Sequence, residues 1–93
     1  MIPSIGRIVH LRLSEGCAAS INKARAESGG ALKGNTAKEG DVYPLLITRV
    51  WGDEPTETTP VNGQVHLDGN DCLWVTSVVQ GDGPGQWFAP PRA

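Results

Sequence analysis

The chain has little of what marks the larger function classes. No apolar run approaches the roughly 18 residues of a membrane span. The start, Met1-Ile2-Pro3-Ser4, carries neither a basic region nor an apolar stretch, so no secretory leader is read there. Cations are scarce: eight Lys and Arg against ten Asp and Glu leave a net charge of −2. Phosphate neutralisation needs a surplus of cations on one face, so duplex nucleic acid is not an expected partner. Cysteine is limited to Cys17 and Cys72, in no CxxC or Cys/His cluster, which argues against a zinc site. Without a leader, both thiols are expected to be reduced and buried in a cytoplasmic protein.

Catalytic signatures are missing as well. Gly29 and Gly34 have the spacing of a phosphate loop, but Asn35-Thr36 stands where Lys-Ser/Thr is required. No G-x-S-x-G elbow is present, so Ser77, His66 and Asp71 form no more than a chance trio. Asp68 and Asp71 are read as turn formers, because Asp side chains bond nearby backbone N–H groups. No catalytic residue, metal site or cofactor is assigned.

What is present is alternation. With 39% apolar and 19% charged residues, the 93-residue chain suits one domain, residues 1–93, with a modest core. Ile5 to Leu13 reads as a strand with Val9, Leu11 and Leu13 on one face. Ser14 to Ser28 reads as a helix capped by Ser14, with Cys17, Ile21, Ala24 and Ser28 inward and Asn22 toward water. The Gly-rich stretch 29–41 reads as a flexible connector. Val42 to Trp51 is the strongest strand, apolar on both faces and so central; Pro44 suggests an edge or bulge near its end. The stretch 52–60 is an acidic, Thr/Pro-rich linker, expected to be exposed and mobile.

Val61–Leu67 and Cys72–Val79 read as a hairpin about the turn 68–71, since Asp-Gly and Gly-Asn tolerate positive φ. Inward positions are Val61, Val65 and Leu67, then either Leu73, Val75 and Val79 or Cys72, Trp74 and Val78. Gln86-Trp87-Phe88 is a short last strand, and Ala89–Ala93 an extended tail. The fold class is mainly β: a small SH3-like barrel, or a strongly bent antiparallel sheet of about five strands with one short helix.

Binding chemistry is better represented than catalysis. Asn62, Gln64, His66, Trp74 and Thr76 fall on outward hairpin positions. Three tryptophans stand against one Phe and one Tyr. Trp51, Trp74 or Trp87 suits stacking on a planar ring, Arg7 and Arg49 suit a phosphate or carboxylate, and Asn35, Asn62, Gln64 and His66 suit polar edges. The same residue types also fill cores and build protein interfaces.

Several blocks carry a resemblance: Gly6-Arg7-Ile8-Val9-His10, Gly34-Asn35-Thr36, Gly40 to Pro44, Arg49-Val50-Trp51, Val61 to Asp71, Leu73 to Ser77 and Gly83 to Trp87. Across nearly the whole chain they resemble a family of small phage and prophage proteins. The resemblance supplies context rather than chemistry. It implies a place among proteins that block host defence, one class of which binds host-made nucleotide signals without cleaving them.

The expectation is therefore a non-enzymatic phage binding protein that sequesters a small nucleotide-derived immune signal in the infected cell's cytoplasm. The thin helix stripe and small core suggest a homo-oligomer with the pocket at a subunit boundary. The alternative is a protein–protein interaction module, either a virion accessory part or an inhibitor of a host protein. A small nucleotide hydrolase acting through His66 and Asp71 is the third possibility.

Overall fold

The computed structural model describes residues 1–91, so the last two positions of the expected tail lie outside the described residues. Five strands, β1 (Ile8–Arg12), β2 (Val42–Val50), β3 (Val61–His66), β4 (Cys72–Val78) and β5 (Trp87–Phe88), form one sheet in the order β4-β3-β2-β1-β5. Every strand pairing in it is antiparallel. Helix α1 (Glu15–Glu27) lies between β1 and β2 in the chain. The mainly β expectation holds in its open-sheet form. The sheet does not close into a barrel, although a lone parallel bridge from Gln80 to Trp87 ties the chain beyond β4 to β5.

The period-2 pattern sorts side chains onto two faces. Across the sheet, Val9, Leu45, Val65 and Leu73 form one inner row; Ile47 and Val75 flank Gly63 in the next. Val9, Leu11, Leu13, Leu45, Ile47, Val61, Val65 and Trp87 are almost wholly buried there. Gly63 fits because a Cβ at this position would run into the Leu46 carbonyl oxygen and lie 2.6 Å from Leu45 Cδ1. As expected, β2 is central. Its N–H-less Pro44 lies opposite His10, and the β2–β3 register begins one residue later at Leu45. The missing donor therefore falls at a ladder end rather than in its middle.

Two irregularities set the faces near the ends of β2 and β4. The β2–β3 register shifts between Ile47 and Arg49, and the β3–β4 register between Val61 and Gly63. One extra residue reverses the side-chain phase beyond it. Regular alternation along Val42–Trp51 would put Arg49 on the face of Leu45 and Ile47; it instead pairs with Asn62 on the outer face. On β4 the shift keeps Leu73 and Val75 inward and then buries Val78, leaving Val79 38% exposed. The first alternative read from a regular strand is thus right at Leu73 and Val75, and the second only at Val78. Ser77 marks the shift with φ 57, the one described non-glycine residue with positive φ.

Ser14 caps α1 by accepting from the Cys17 N–H at 3.1 Å. The helix buries Ala18 and Ile21, while Ala24, expected inward, is exposed. Asn22, expected in water, instead holds Ala37: its Nδ2 donates to the Ala37 carbonyl and its Oδ1 accepts from the Ala37 N–H, at 2.8 and 3.0 Å. Two backbone bonds anchor the connector there, and they outweigh the exposure a lone Asn would favour.

The connector is not the free loop its glycines suggested. Arg25 of α1 grips Asp71 in the hairpin turn with two bonds, Nε to Oδ2 at 2.9 Å and Nη2 to Oδ1 at 3.0 Å, and also donates to the Asn35 carbonyl. Asn35 donates through its backbone to the Asp68 carbonyl and through its side chain to the Asp68 carboxylate. Asn70 bonds Lys33 and Ala31. Gly34 and Gly69 meet in a bridge that leaves no room for a Cβ on either. The Arg25 hydrogen bond holds the Asp71 carboxyl below its usual range, despite the opposing effect of desolvation. Residues 52–58 are exposed, as expected.

Candidate functional site

The outer face of the sheet has no second layer of described secondary structure over it. One row crosses four strands: Ile8 opposite Leu46, Leu46 opposite Gln64, Gln64 opposite Trp74. Ile8 is 58% exposed and Trp74 57%. The neighbouring row sets Pro44 and Phe88 on either side of His10, whose ring meets Phe88 edge-on at 5.5 Å. His66 and Cys72 pair nearby, with Nδ1 3.6 Å from Sγ. Alternation produces this face directly: each position is one residue out of phase with a buried one.

At one end the face is capped by an aromatic–cation pair. Arg49 lies over the Trp51 ring at 4.0 Å from its centroid. The Trp51 indole donates to Asn62 Oδ1 at 3.1 Å. That oxygen also accepts from the Thr76 hydroxyl at 2.8 Å and from the Ser77 N–H at 2.9 Å. Asn62 is consequently buried, with 8% exposure. It is the hub that satisfies the irregular β4 backbone, which corrects its assignment as a ligand contact. At the other end Arg12 lies 5.2 Å from the Phe88 centroid and donates from Nε to the Asp82 carbonyl at 3.0 Å.

Six of the nine expected contact residues share this face: Arg49, Trp51, Asn62, Gln64, His66 and Trp74. Gln64 lies across from Trp74 as the hairpin reading required. The other three are elsewhere. Trp87 has no exposed surface and sits in the core, its Nε1 without a hydrogen-bond partner, so it cannot stack on a ligand. Asn35 is committed to Asp68 in the connector latch. Arg7 is exposed just before β1, where alternation turns it away from the Ile8 face. Cys72, expected to be buried, is exposed because its partner in the register is the outward His66; Cys17 is half-buried, and the two thiols are free.

The trio Ser77, His66 and Asp71 is not brought together. Both Asp71 oxygens are held by Arg25, His66 contacts Cys72, and Ser77 contacts Thr76. A cavity of about 320 Å³ lies elsewhere, between the first turn of α1 and β4, lined by Leu11, Ser14, Cys17, Val75 and Val78 among others. None of the nine expected contact residues lines it. No group of His, Cys, Asp and Glu among the described residues is placed to hold a metal ion, and no described helix is long and apolar enough to cross a membrane.

The residues that sequence reasoning missed are Ile8, Leu46, Pro44 and Phe88. Their signal was present, since both faces of β2 are apolar, but a central strand with two apolar faces reads equally well as buried on both sides. No protein-family model, curated protein or solved structure matches this chain.

Proposed function

We propose that the protein is a non-enzymatic binding module that recognises a protein partner through the outer face of its sheet. The observation that carries this reading is the row Ile8–Leu46–Gln64–Trp74, apolar at three positions and more than half exposed at both ends. Exposed apolar patches with a polar rim mark interaction surfaces, and tryptophan is among the residues that most often carry binding energy. Here Trp74 supplies it from the end of the row, on the edge strand β4. The resemblance of the sequence to small phage proteins favours a partner in an infected host cell or in the virion. Two unpaired thiols, one exposed, suit a reducing cytoplasm. Tagged protein incubated with host lysate tests the reading: one stoichiometric partner, lost with Trp74→Ser, supports it. Equal capture by that variant overturns it.

A second reading keeps the small nucleotide-type ligand. Its support is the open indole of Trp74 beside Gln64, with the Arg49–Trp51 pair toward one end of the same face. A flat face encloses little of a small molecule, so this reading requires a homo-oligomer whose second copy supplies the opposite wall. Calorimetry with cyclic dinucleotides and ADP-ribose derivatives separates the two. Saturable binding that depends on Trp74, by a protein that light scattering shows to be an oligomer, favours the ligand.

A further inference from the structure

We infer that the partner presents an extended acidic segment, with apolar residues between two carboxylate-bearing ends. This rests on the outer face being a recognition surface and adds the chemistry that the face takes. Its charge is one-sided. The chain holds ten acidic residues, yet none falls on an outward strand position, whereas Arg12 and Arg49 both do. The ion pairs among the described residues are Met1 with Glu57 and Arg25 with Asp71, so within that set neither outward arginine is paired with a carboxylate. Each is associated instead with an aromatic ring, Arg12 with Phe88 and Arg49 with Trp51. Arg49, which makes no side-chain hydrogen bond among the described residues, keeps its in-plane N–H donors for a bidentate carboxylate. Arg12 gives Nε to the Asp82 carbonyl and Nη1 to the Gly40 carbonyl at 3.4 Å, and offers Nη2 to a single carboxylate oxygen.

The spacing defines the segment. Arg12 lies opposite Val42, and Arg49 follows seven residues along the same strand. At about 3.3 Å per residue, the two cations stand roughly 23 Å apart along the strands. The apolar row runs between them through Leu46, and at about 4.8 Å per strand it is roughly 14 Å wide. An extended segment of about seven residues therefore reaches from one arginine to the other. Its end carboxylates meet Arg12 and Arg49, and its central side chains cover Ile8, Leu46 and Trp74. A second copy of this chain fits less well, because face-to-face packing would set arginine against arginine with no strand carboxylate between them. A nucleic-acid strand would meet two arginines on a chain of net charge −2.

Fluorescence anisotropy on the full chain tests this with labelled peptides: an Asp-ended, Leu-centred peptide, its Asn-ended and Lys-ended counterparts, and a short oligothymidylate. The Asp-ended peptide should bind at least about tenfold tighter than either counterpart and lose affinity with added salt. Arg49→Gln should weaken it about tenfold and Trp74→Ala by more. Alkylation of exposed Cys72 should slow when the peptide is bound. Equal binding of the Asp-ended and Asn-ended peptides overturns the acidic segment and leaves the recognition face standing. Tighter binding of oligothymidylate overturns it in favour of nucleic acid. A dimer that light scattering detects and Trp74→Ala dissolves overturns it in favour of a second copy. If no probe protects Cys72 and Trp74→Ser also leaves lysate capture unchanged, both this inference and the binding reading fall.

Discussion

Three residues show how single side chains decide this structure. Asn62 looks like a surface amide by alternation, yet its oxygen accepts three hydrogen bonds and holds the register shift of β4. Asn62→Ala should lower stability by about 2–3 kcal/mol, because the Ser77 N–H and the Trp51 indole lose their acceptor. Urea denaturation checks this, with a lower midpoint and an unchanged slope expected. Gly63 has a different reason. A Cβ there would strike the Leu46 carbonyl, a backbone atom that cannot step aside, so Gly63→Ala should destabilise by about 1–3 kcal/mol in the same assay. Trp74 is the contrast. At 57% exposure it supports little of the core, and Trp74→Ser should change stability by no more than about 0.5 kcal/mol while removing binding.

At the scale of elements, the link between α1 and the hairpin turn is the main connection that the patterning did not show. The Arg25 and Asp71 side chains keep 10% and 7% exposure, so solvent still reaches the pair. Screening therefore reduces what the pair contributes, and Asp71→Asn should cost about 1–2 kcal/mol at neutral pH. The sign of its pH dependence follows from the hydrogen bond with Arg25. That bond holds the folded-state carboxyl below the ordinary value of 3.8. The pair's contribution is full above that value and is lost as pH falls through the lower folded-state value. Thermal melts of wild type and Asp71→Asn should thus differ at pH 7 and converge in acid. Convergence toward alkaline pH instead would contradict the assignment.

The individual elements were legible because their signals are local. Ser14 caps the helix as its hydroxyl allows, β2 is central, and the hairpin turns at 68–71. The helix face and the connector were not legible. Ala24 and Asn22 exchange their expected sides because Asn22 and Arg25 bond backbone and carboxylate groups far along the chain, and no periodicity encodes such pairings. The phase of Arg49 and Val78 was hidden for a related reason. A register shift adds one residue without changing composition, so alternation carried past it assigns the wrong face.

For the whole molecule, the sheet has one face under a core and one face open. Ile8 and Trp74 lie at opposite ends of the open row, so Ile8→Ser combined with Trp74→Ser should leave the melting temperature within a few degrees of wild type. The same pair should abolish partner capture, since it removes both ends of the apolar strip. Calorimetry and pull-down together check this. Loss of folding would instead mean that the outer face contributes to stability as the inner one does.

Alternation, turn chemistry and composition determined that this chain is mainly β, where its strands and hairpin fall, and which side chains could serve recognition. Those are short-range properties, set by pleat geometry and by the φ angles that particular residues accept. Tertiary structure alone decided which of the candidates are usable. It spent Asn62, Asn35 and Asp71 on internal bonds, buried Trp87, and turned Arg49 and Trp51 outward. It also left Ile8 and Leu46 uncovered beside Trp74. The reason is that burial and hydrogen-bond partnership depend on what lies across the sheet, and in this fold those neighbours come from distant parts of the chain.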